Sequence, residues 1–260
     1  MADSFRLALL GNPVRHSRSP AMHNAALRTL GLAGAYEALR VDHDGMVGAA
    51  HGVRSGHFDG ANITMPHKQL AFDLADSLSV VAQRAGAVNT WVRSAGRLEG
   101  HNTDVDGIVR AWDSASFPSD APVLILGSGG AAAAACLALH DRKVLVAARR
   151  MTAVDEMVHR LGVDATAHPW GVPLTGAVIV NATPIGMHGE SLPTAVVARA
   201  SGLFDMTYGD IPSPAIEAGS ALGIPTLDGR EMLLGQAMAS FTLWTGYAAP
   251  EAAMRAALDG

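Results

Sequence analysis

Apolar residues in this chain gather in short runs bounded by glycine, proline or asparagine, with longer stretches of mixed polarity between them. Runs that short, closed by turn residues, read as buried strands. FRLALLG (Phe5–Gly11) is the first, ending in a Gly11-Asn12-Pro13 turn. SPAMHNAALRTLGL then predicts a helix with Ser19 as N-cap, Pro20 at its first position and Gly31 beyond its end. AYEALRVD and FDGANITMP read as two more strands, and KQLAFDLADSLSVVAQRAGAV as one helical stretch. NTWVRSAGRLEGHNTD predicts a hairpin turning near Ser94–Gly96. The first part of the chain is thus a βα unit followed by mixed strands.

Near DSASFPSDAP (Asp113–Pro122) the apolar periodicity lapses into a Ser/Pro/Asp linker. A second α/β rhythm begins at Val123: VLILGSGG, an alanine helix, KVLVAARR, another helix, then AVIVNATPIG. GLFDMTY and GIPTLDG supply two short strands, and GREMLLGQAMASFTLWTG a late helix. There are no internal repeats. The run of five alanines is a helix that can pack close to a sheet, alanine being the best helix former.

Composition narrows the class. With 260 residues, 49% of them hydrophobic and 17% charged, the chain can bury one large or two modest α/β cores. A net charge of −5 argues against a nucleic-acid surface. No apolar stretch approaches the ~20 residues of a membrane span, and MADSFRLALLGNPV lacks the basic start and cleavage site of a secretory leader. The single cysteine, Cys136, excludes an internal disulfide framework and fits a reducing compartment. In AAAAACLAL it reads as a buried structural thiol, with no His or Asp beside it to activate it. A cytoplasmic protein is expected, and no metal.

Two regions carry candidate chemistry. Gly127-Ser128-Gly129-Gly130 follows a strand and opens a helix, so its glycines permit a tight turn and close approach of a pyrophosphate to a helix N-terminus. Position 132, the place of a third glycine, holds alanine. A site for NAD usually sets an acid ~20 residues beyond the first glycine, on the ribose hydroxyls. Here that place reads Ala147-Ala148-Arg149-Arg150, and guanidinium groups suit a 2′-phosphate, favouring NADP. Solvated surface arginines are the plainer alternative.

In the first half, Ser17 and Ser19 either cap a helix or jointly bind a small carboxylate. Asn62, Thr64 and Lys68 surround a strand end in NITMPHKQ, GAVNT adds Asn89, and GHNTDVDG adds Asp104 and Asp106. Singly these are turn asparagines, helix-capping aspartates and a solvated lysine. Together, a lysine paired with a carboxylate is the minimum for moving a proton beside a hydride acceptor. His16 and His67 compete with Lys68 as proton donors on ordinary pKa alone.

These residues fall into a larger pattern. GNPVxHSxSPxMHN, NITMPHK, AGAVNT, GHNTDxxG, GSGG, NATPIGM, DMTY and DGxxMLLGQA occur in that order across the chain. In this the chain resembles the shikimate dehydrogenases. The resemblance implies NADPH-linked, reversible reduction of 3-dehydroshikimate to shikimate, on the way to chorismate and the aromatic amino acids. It makes Ser17 and Ser19 the binders of the substrate carboxylate, Thr64, Asn89 and Gln236 binders of its hydroxyls, and Tyr208 a further substrate contact. Lys68 and Asp104 match the catalytic pair. Gly127, Gly129 and Gly130 match the dinucleotide loop, Arg149 the 2′-phosphate arginine, with Arg150 beside it. Asn181, Thr183 and Met206 line up around the ribose and nicotinamide.

The implied fold is α/β in two domains: a substrate domain of residues 1–104 and 237–260, completed by C-terminal helices, and a Rossmann-like NADP domain of residues 105–236, with a cleft between. Where the family often reads Asn-Arg-Thr, this chain has Ala148-Arg149-Arg150; a further family arginine is matched by Ala153, and only alanines follow the glycine loop. NADP specificity then rests on Arg149 and Arg150, with modest affinity expected. A quinate or dual quinate/shikimate enzyme is the nearest alternative, although paired serines and an acid-free AARR lean away from it. A catalytically silent NADP-binding sensor is opposed by the presence of Lys68 and Asp104, and a folate-linked dehydrogenase by the Ser-x-Ser site. The expected partners are the small-molecule substrate, with no nucleic acid and no membrane, in a monomer or homodimer.

Overall fold

In the computed structural model, which describes residues 4–260, the chain forms two compact units. The start of MADS, residues 1–3, lies outside the described residues. One unit comprises Met1–Gly107 with Leu233–Gly260, the other Ile108–Met232.

The first unit runs β1 (Ser4–Gly11), α1 (Ser19–Thr29), β2 (Ala33–Arg40), α2 (His43–Ser55), β3 (Gly60–Ile63), α3 (Lys68–Leu74), β4 (Ser77–Leu78), α4 (Val80–Ala85), β5 (Thr90–Ser94) and β6 (Arg97–His101). Its sheet has the order β2-β1-β3-β5-β6-β4, parallel from β2 to β3 and antiparallel through β5 and β6. Ala8 and Leu10 of β1 face a core of Met46, Val53, Ile63, Trp91 and Leu98, while Leu7 and Leu9 face Val14, Tyr36 and Trp244. Burial on both faces is why FRLALLG reads as a continuous apolar run and not an alternating one.

Three local readings need correction. Ser19 is the first residue of α1, not its cap; Arg18 holds the cap position, and the Ser17 hydroxyl accepts the Ser19 N–H at 3.2 Å. The single helical stretch after Lys68 is two helices separated by β4. Asp76 causes the break: its carboxylate accepts the Leu98 N–H at 2.8 Å and a forked bond from Arg54, whose guanidinium holds the carboxyl down to about 2. Ser79 then caps α4 through the Ala82 N–H. Apolar spacing runs through the break because Leu74 and Leu78 pack on one core from either side of it. Finally, α2 has no counterpart in the sequence reading. Asp42 caps it and Gly56 ends it at φ +82°, but its buried Met46, Ala50 and Val53 are diluted by glycine and histidine. The hairpin turns through Ala95-Gly96, at φ +49° and +77°, between paired Ser94 and Arg97.

From β6 the chain enters α5 (Asp104–Ser114), which carries it into the second unit. There follow β7 (Val123–Leu126), α6 (Gly130–Ala138), β8 (Val144–Ala147), α7 (Met151–Leu161), β9 (Ala165–Ala167), β10 (Val178–Asn181), α8 (Thr194–Val197), β11 (Gly202–Asp205), α9 (Pro214–Ala221) and β12 (Thr226–Leu227). All six strands are parallel, in the order β12-β11-β10-β7-β8-β9. The chain works outward from β7 to β9, then returns to the other side of β7. That reversal opens a crevice at the carboxyl ends of β7 and β10, where such sheets bind ligands. Ala132 to Cys136 are fully buried in α6, and burial pushes the Cys136 thiol up to about 12, as suits a structural residue.

α10 (Arg230–Thr245) and α11 (Glu251–Asp259) return the chain to the first unit. Leu234, Ala237, Phe241, Met254 and Leu258 pack there with Met22 and Leu27 of α1. Gln236 therefore belongs to the first unit.

Candidate active site

In the first unit, β3 ends at Ile63 and the chain turns through Thr64 to Pro66 before Lys68 opens α3. The Lys68 ammonium donates to Asp104 Oδ2 at 2.5 Å. Asp104 opens α5 but does not cap it: Asn102 Oδ1 takes its N–H at 3.1 Å, which frees the carboxylate for side-chain partners. The Asp104 side chain is 5% exposed and that of Lys68 24%, so the ion pair is sheltered with its lysine end open to solvent. Shelter strengthens such a pair relative to a surface one. Asp106, two residues on, is exposed. His67 is committed elsewhere, its Nε2 lying 2.9 Å from the Val41 carbonyl, and His16 is exposed.

Asn89 sits just before β5 and reaches the other oxygen of Asp104, Nδ2 to Oδ1, at 2.9 Å. Its own Oδ1 accepts the Thr103 N–H at 2.8 Å, with the Thr90 and Thr103 hydroxyls also within bonding distance, at 3.0 and 3.2 Å. Lys68, Asn89 and Asp104 thus form one cluster drawn from three segments of the unit. Thr64 is half-buried beside Gly11, where an added Cβ would strike its methyl group. Ser17 is half-buried and Ser19 buried at the start of α1; Gln236 is buried in α10, its amide turned onto the Leu233 carbonyl at 2.9 Å.

The second unit holds the remaining candidates. Gly127 follows β7 at φ +127°, with Ala182 O only 2.9 Å from where a Cβ would stand. Gly129 opens onto free space, and α6 begins there without any side-chain cap. Arg149 and Arg150 are exposed just past β8. Asn181 ends β10, with its Oδ1 accepting both the N–H and the hydroxyl of Thr183, at 3.1 and 2.6 Å. Met206 N–H bonds to Asn181 O across the adjacent strand end. Tyr208, two residues later, is exposed and belongs to this second unit.

Comparison with known proteins identifies this arrangement. Residues 9–91 match the shikimate dehydrogenase substrate binding domain, and residues 229–258 the shikimate 5'-dehydrogenase C-terminal domain. An NADP(+) shikimate dehydrogenase of Anaeromyxobacter sp. (strain Fw109-5) is 39% identical over 264 residues, covering 96% of this chain and 94% of its own. The chain belongs to the shikimate dehydrogenase family. Among solved structures, the shikimate 5-dehydrogenase of Thermus thermophilus in complex with NADP(H) and shikimate is 35% identical, covers 98% of each chain and superposes with a TM-score of 0.90. The Mycobacterium tuberculosis enzyme is 30% identical with a TM-score of 0.86, again over 98% of both chains.

The family's cofactor is compatible with what the second unit offers. The uncapped start of α6, the open space at Gly129 and the absence of an acid after β8 are the features a phosphorylated dinucleotide needs. The sequence reading omitted several residues on which these candidates depend. Asp205 is fully buried, yet accepts from Asn181 Nδ2 at 2.9 Å, from the Thr207 N–H at 3.0 Å and from the Ser213 hydroxyl at 2.5 Å. It ties together the ends of β10 and β11. An acid closing an apolar strand in LFDMTY was the available signal. Thr90, Thr103 and Ser240 are likewise omitted from around Asn89 in the first unit, whereas Asn62, whose amide reaches the Asn89 carbonyl, is already singled out in NITMPHKQ. His23 is a third kind of omission. It is buried between Tyr36, Trp244 and Phe241, at ring distances of 4.3, 5.2 and 6.3 Å, and its nitrogens meet no hydrogen-bond partner among the described residues. Burial pushes its imidazole down to about 3. No helix of the described residues is long and apolar enough to cross a membrane.

Proposed function

We propose that this chain is an NADP-dependent shikimate dehydrogenase, reducing 3-dehydroshikimate to shikimate reversibly on the route to chorismate and aromatic amino acids. The observation that carries this reading is the Lys68 ammonium fixed on Asp104, with Asn89 on the other carboxylate oxygen. NADPH supplies the hydride. As the ketone is reduced its oxygen gains negative charge, and a fixed, sheltered cation beside it lowers the barrier. Lys68 is that cation and the source of the oxygen's proton, while Asp104 orients it. Ser17 and Ser19 at the start of α1 hold the substrate carboxylate, with Thr64, Asn89 and Gln236 on its hydroxyls and Tyr208 a further substrate contact. The first unit, with its C-terminal helices, is the substrate domain. The second is the cofactor domain: Gly127, Gly129 and Gly130 take the pyrophosphate at α6, Arg149 and Arg150 the 2′-phosphate, and Asn181, Thr183 and Met206 the ribose and nicotinamide. The enzyme works in the cytoplasm as a monomer or homodimer, a setting supported by its single buried cysteine.

The test is absorbance at 340 nm with shikimate or quinate offered beside NADP⁺ or NAD⁺. Turnover is expected with shikimate and NADP⁺. A preference for quinate with NAD⁺ would overturn both specificity assignments, and cofactor binding without any turnover would point to a silent sensor.

A further inference from the structure

Behind the Lys68–Asp104 pair lies a set of buried hydroxyl and amide groups that the reaction itself does not use. Thr90 and Ser240 are fully buried, Thr103 is 2% exposed and Asn62 4%. They come from β3, β5, the segment before α5 and the middle of α10, up to 178 residues apart in sequence. Some of their hydrogen bonds have a fixed direction. The Ser240 hydroxyl spends its one proton on the Gln236 carbonyl at 2.9 Å. With that proton so placed, Ser240 Oγ accepts from Asn62 Nδ2 at 2.9 Å and from one threonine, Thr90 at 2.9 Å or Thr103 at 3.0 Å, which leaves the other threonine's single proton for Asn89 Oδ1. The Tyr36 hydroxyl on Asn62 Oδ1, at 2.8 Å, sets which way the Asn62 amide faces. At the far end, the Thr103 N–H on Asn89 Oδ1 does the same for Asn89, so its Nδ2 points at Asp104 Oδ1 and at Thr103 Oγ1, 3.0 Å away.

Stability alone does not call for these groups, since well-packed apolar side chains of equal volume serve a core at least as well. What a satisfied polar network adds is a single geometry, because each donor has one place to point. We propose that Thr103 and Ser240, with Thr90, are positioning residues that lock the Asn89 amide against Asp104 and so hold the Lys68 ammonium in its working orientation. They also tie this cluster to the turn of α10 that carries Gln236. The proposal rests on the dehydrogenase reading for its kinetic consequence, though not for its structural one.

The chain contains two lysines, Lys68 and Lys143, which makes the lysine itself observable. With lysine labelled by ¹³Cε and ¹⁵Nζ, the two ammonium signals are assigned by Lys143→Arg, and Asp104→Asn gives the signal of a released Lys68. Thr103→Val and Ser240→Ala are expected to move the Lys68 signal toward that released position. They should also lower kcat for shikimate and NADP⁺ by about tenfold or more, because small misplacements of a reacting group are costly. Thr103→Ser, which restores the hydroxyl, should return both. A merely structural network would lower the melting temperature and leave the Lys68 signal and kcat as they were, and that result overturns the proposal. Should valine at 103 prevent folding, Ser240→Ala, which only removes an oxygen, decides the same question. If the unaltered protein does not oxidise shikimate, the functional reading fails, and the lysine spectra alone judge the network.

Discussion

His23 offers a stability test that depends on no assumption about catalysis. Its imidazole is wholly buried against Tyr36, Trp244 and Phe241, with burial lowering its pKa from 6.5 to about 3 and Asn62 pulling weakly the other way. Between those two values the unfolded chain binds a proton that the folded chain refuses. Stability is therefore unaffected by His23 above pH 6.5 and falls as the pH drops through it, by about 1.4 kcal/mol per pH unit, until pH approaches 3. At pH 7.5 the loss is negligible, and at pH 5 it is about 2 kcal/mol. His23→Leu removes the titration without stranding a partner, since the ring nitrogens have none. At pH 7.5 this near-isosteric change should alter stability by less than about 1.5 kcal/mol in either direction. The informative quantity is how far the difference between the two proteins moves from pH 7.5 to pH 5, because every other group titrates in both. Urea unfolding at 25 °C, followed by tryptophan fluorescence in a Trp112→Phe/Trp170→Phe background, reports only Trp91 and Trp244 of the first unit. The variant should gain about 2 kcal/mol on the parent over that interval. Equal losses in the two proteins would show that His23 accepts a proton in the folded state, and the account of its burial would be wrong.

Other consequences are more direct. Lys68→Met and Asp104→Asn should each lower kcat for shikimate oxidation by about 10²- to 10⁴-fold, the usual share of a positioned acid or base, with circular dichroism unchanged; a variant keeping most of its kcat would remove that residue from the chemistry. Arg149→Ala with Arg150→Ala should raise the KM for NADP⁺ by about tenfold or more, as loss of charge-assisted bonds to a phosphate implies, while leaving the KM for NAD⁺ within about twofold. Equal effects on both cofactors would sever the arginines from the 2′-phosphate. Ala95 stands at φ +49° in a two-residue hairpin turn, a conformation that costs a residue with a Cβ about 1–2 kcal/mol. Ala95→Asn should therefore raise stability by about 0.5–1 kcal/mol by chemical denaturation, and a lowered stability would contradict the turn geometry.

Much of this protein is determined by local residue order. Buried strands such as FRLALLG and VLILG need only a short apolar run and a turn to end it, so they are legible without a structure. The glycine loop after β7 is legible for the same reason, its turn being set by the four consecutive residues Gly127 to Gly130. Arg149 and Arg150 follow from counting along the next strand. Lys68 and Asp104 could be singled out by type and by family pattern, yet a lysine and an aspartate 36 residues apart become one ion pair only when β3, α3 and α5 converge. Nothing adjacent to Asp104 reveals that its N–H goes to Asn102 Oδ1 while its carboxylate meets Lys68 and Asn89. The break at Asp76 was invisible because apolar periodicity records which side chains face a core, and both pieces face the same one. Ser240, 150 residues from Thr90, and the unpartnered ring of His23 owe their roles wholly to packing between distant segments. Composition can say that such polar groups exist; only the tertiary structure decides which of them are buried, what each must bond to, and hence which way the side chains of Lys68, Asn89 and Asp104 are made to face.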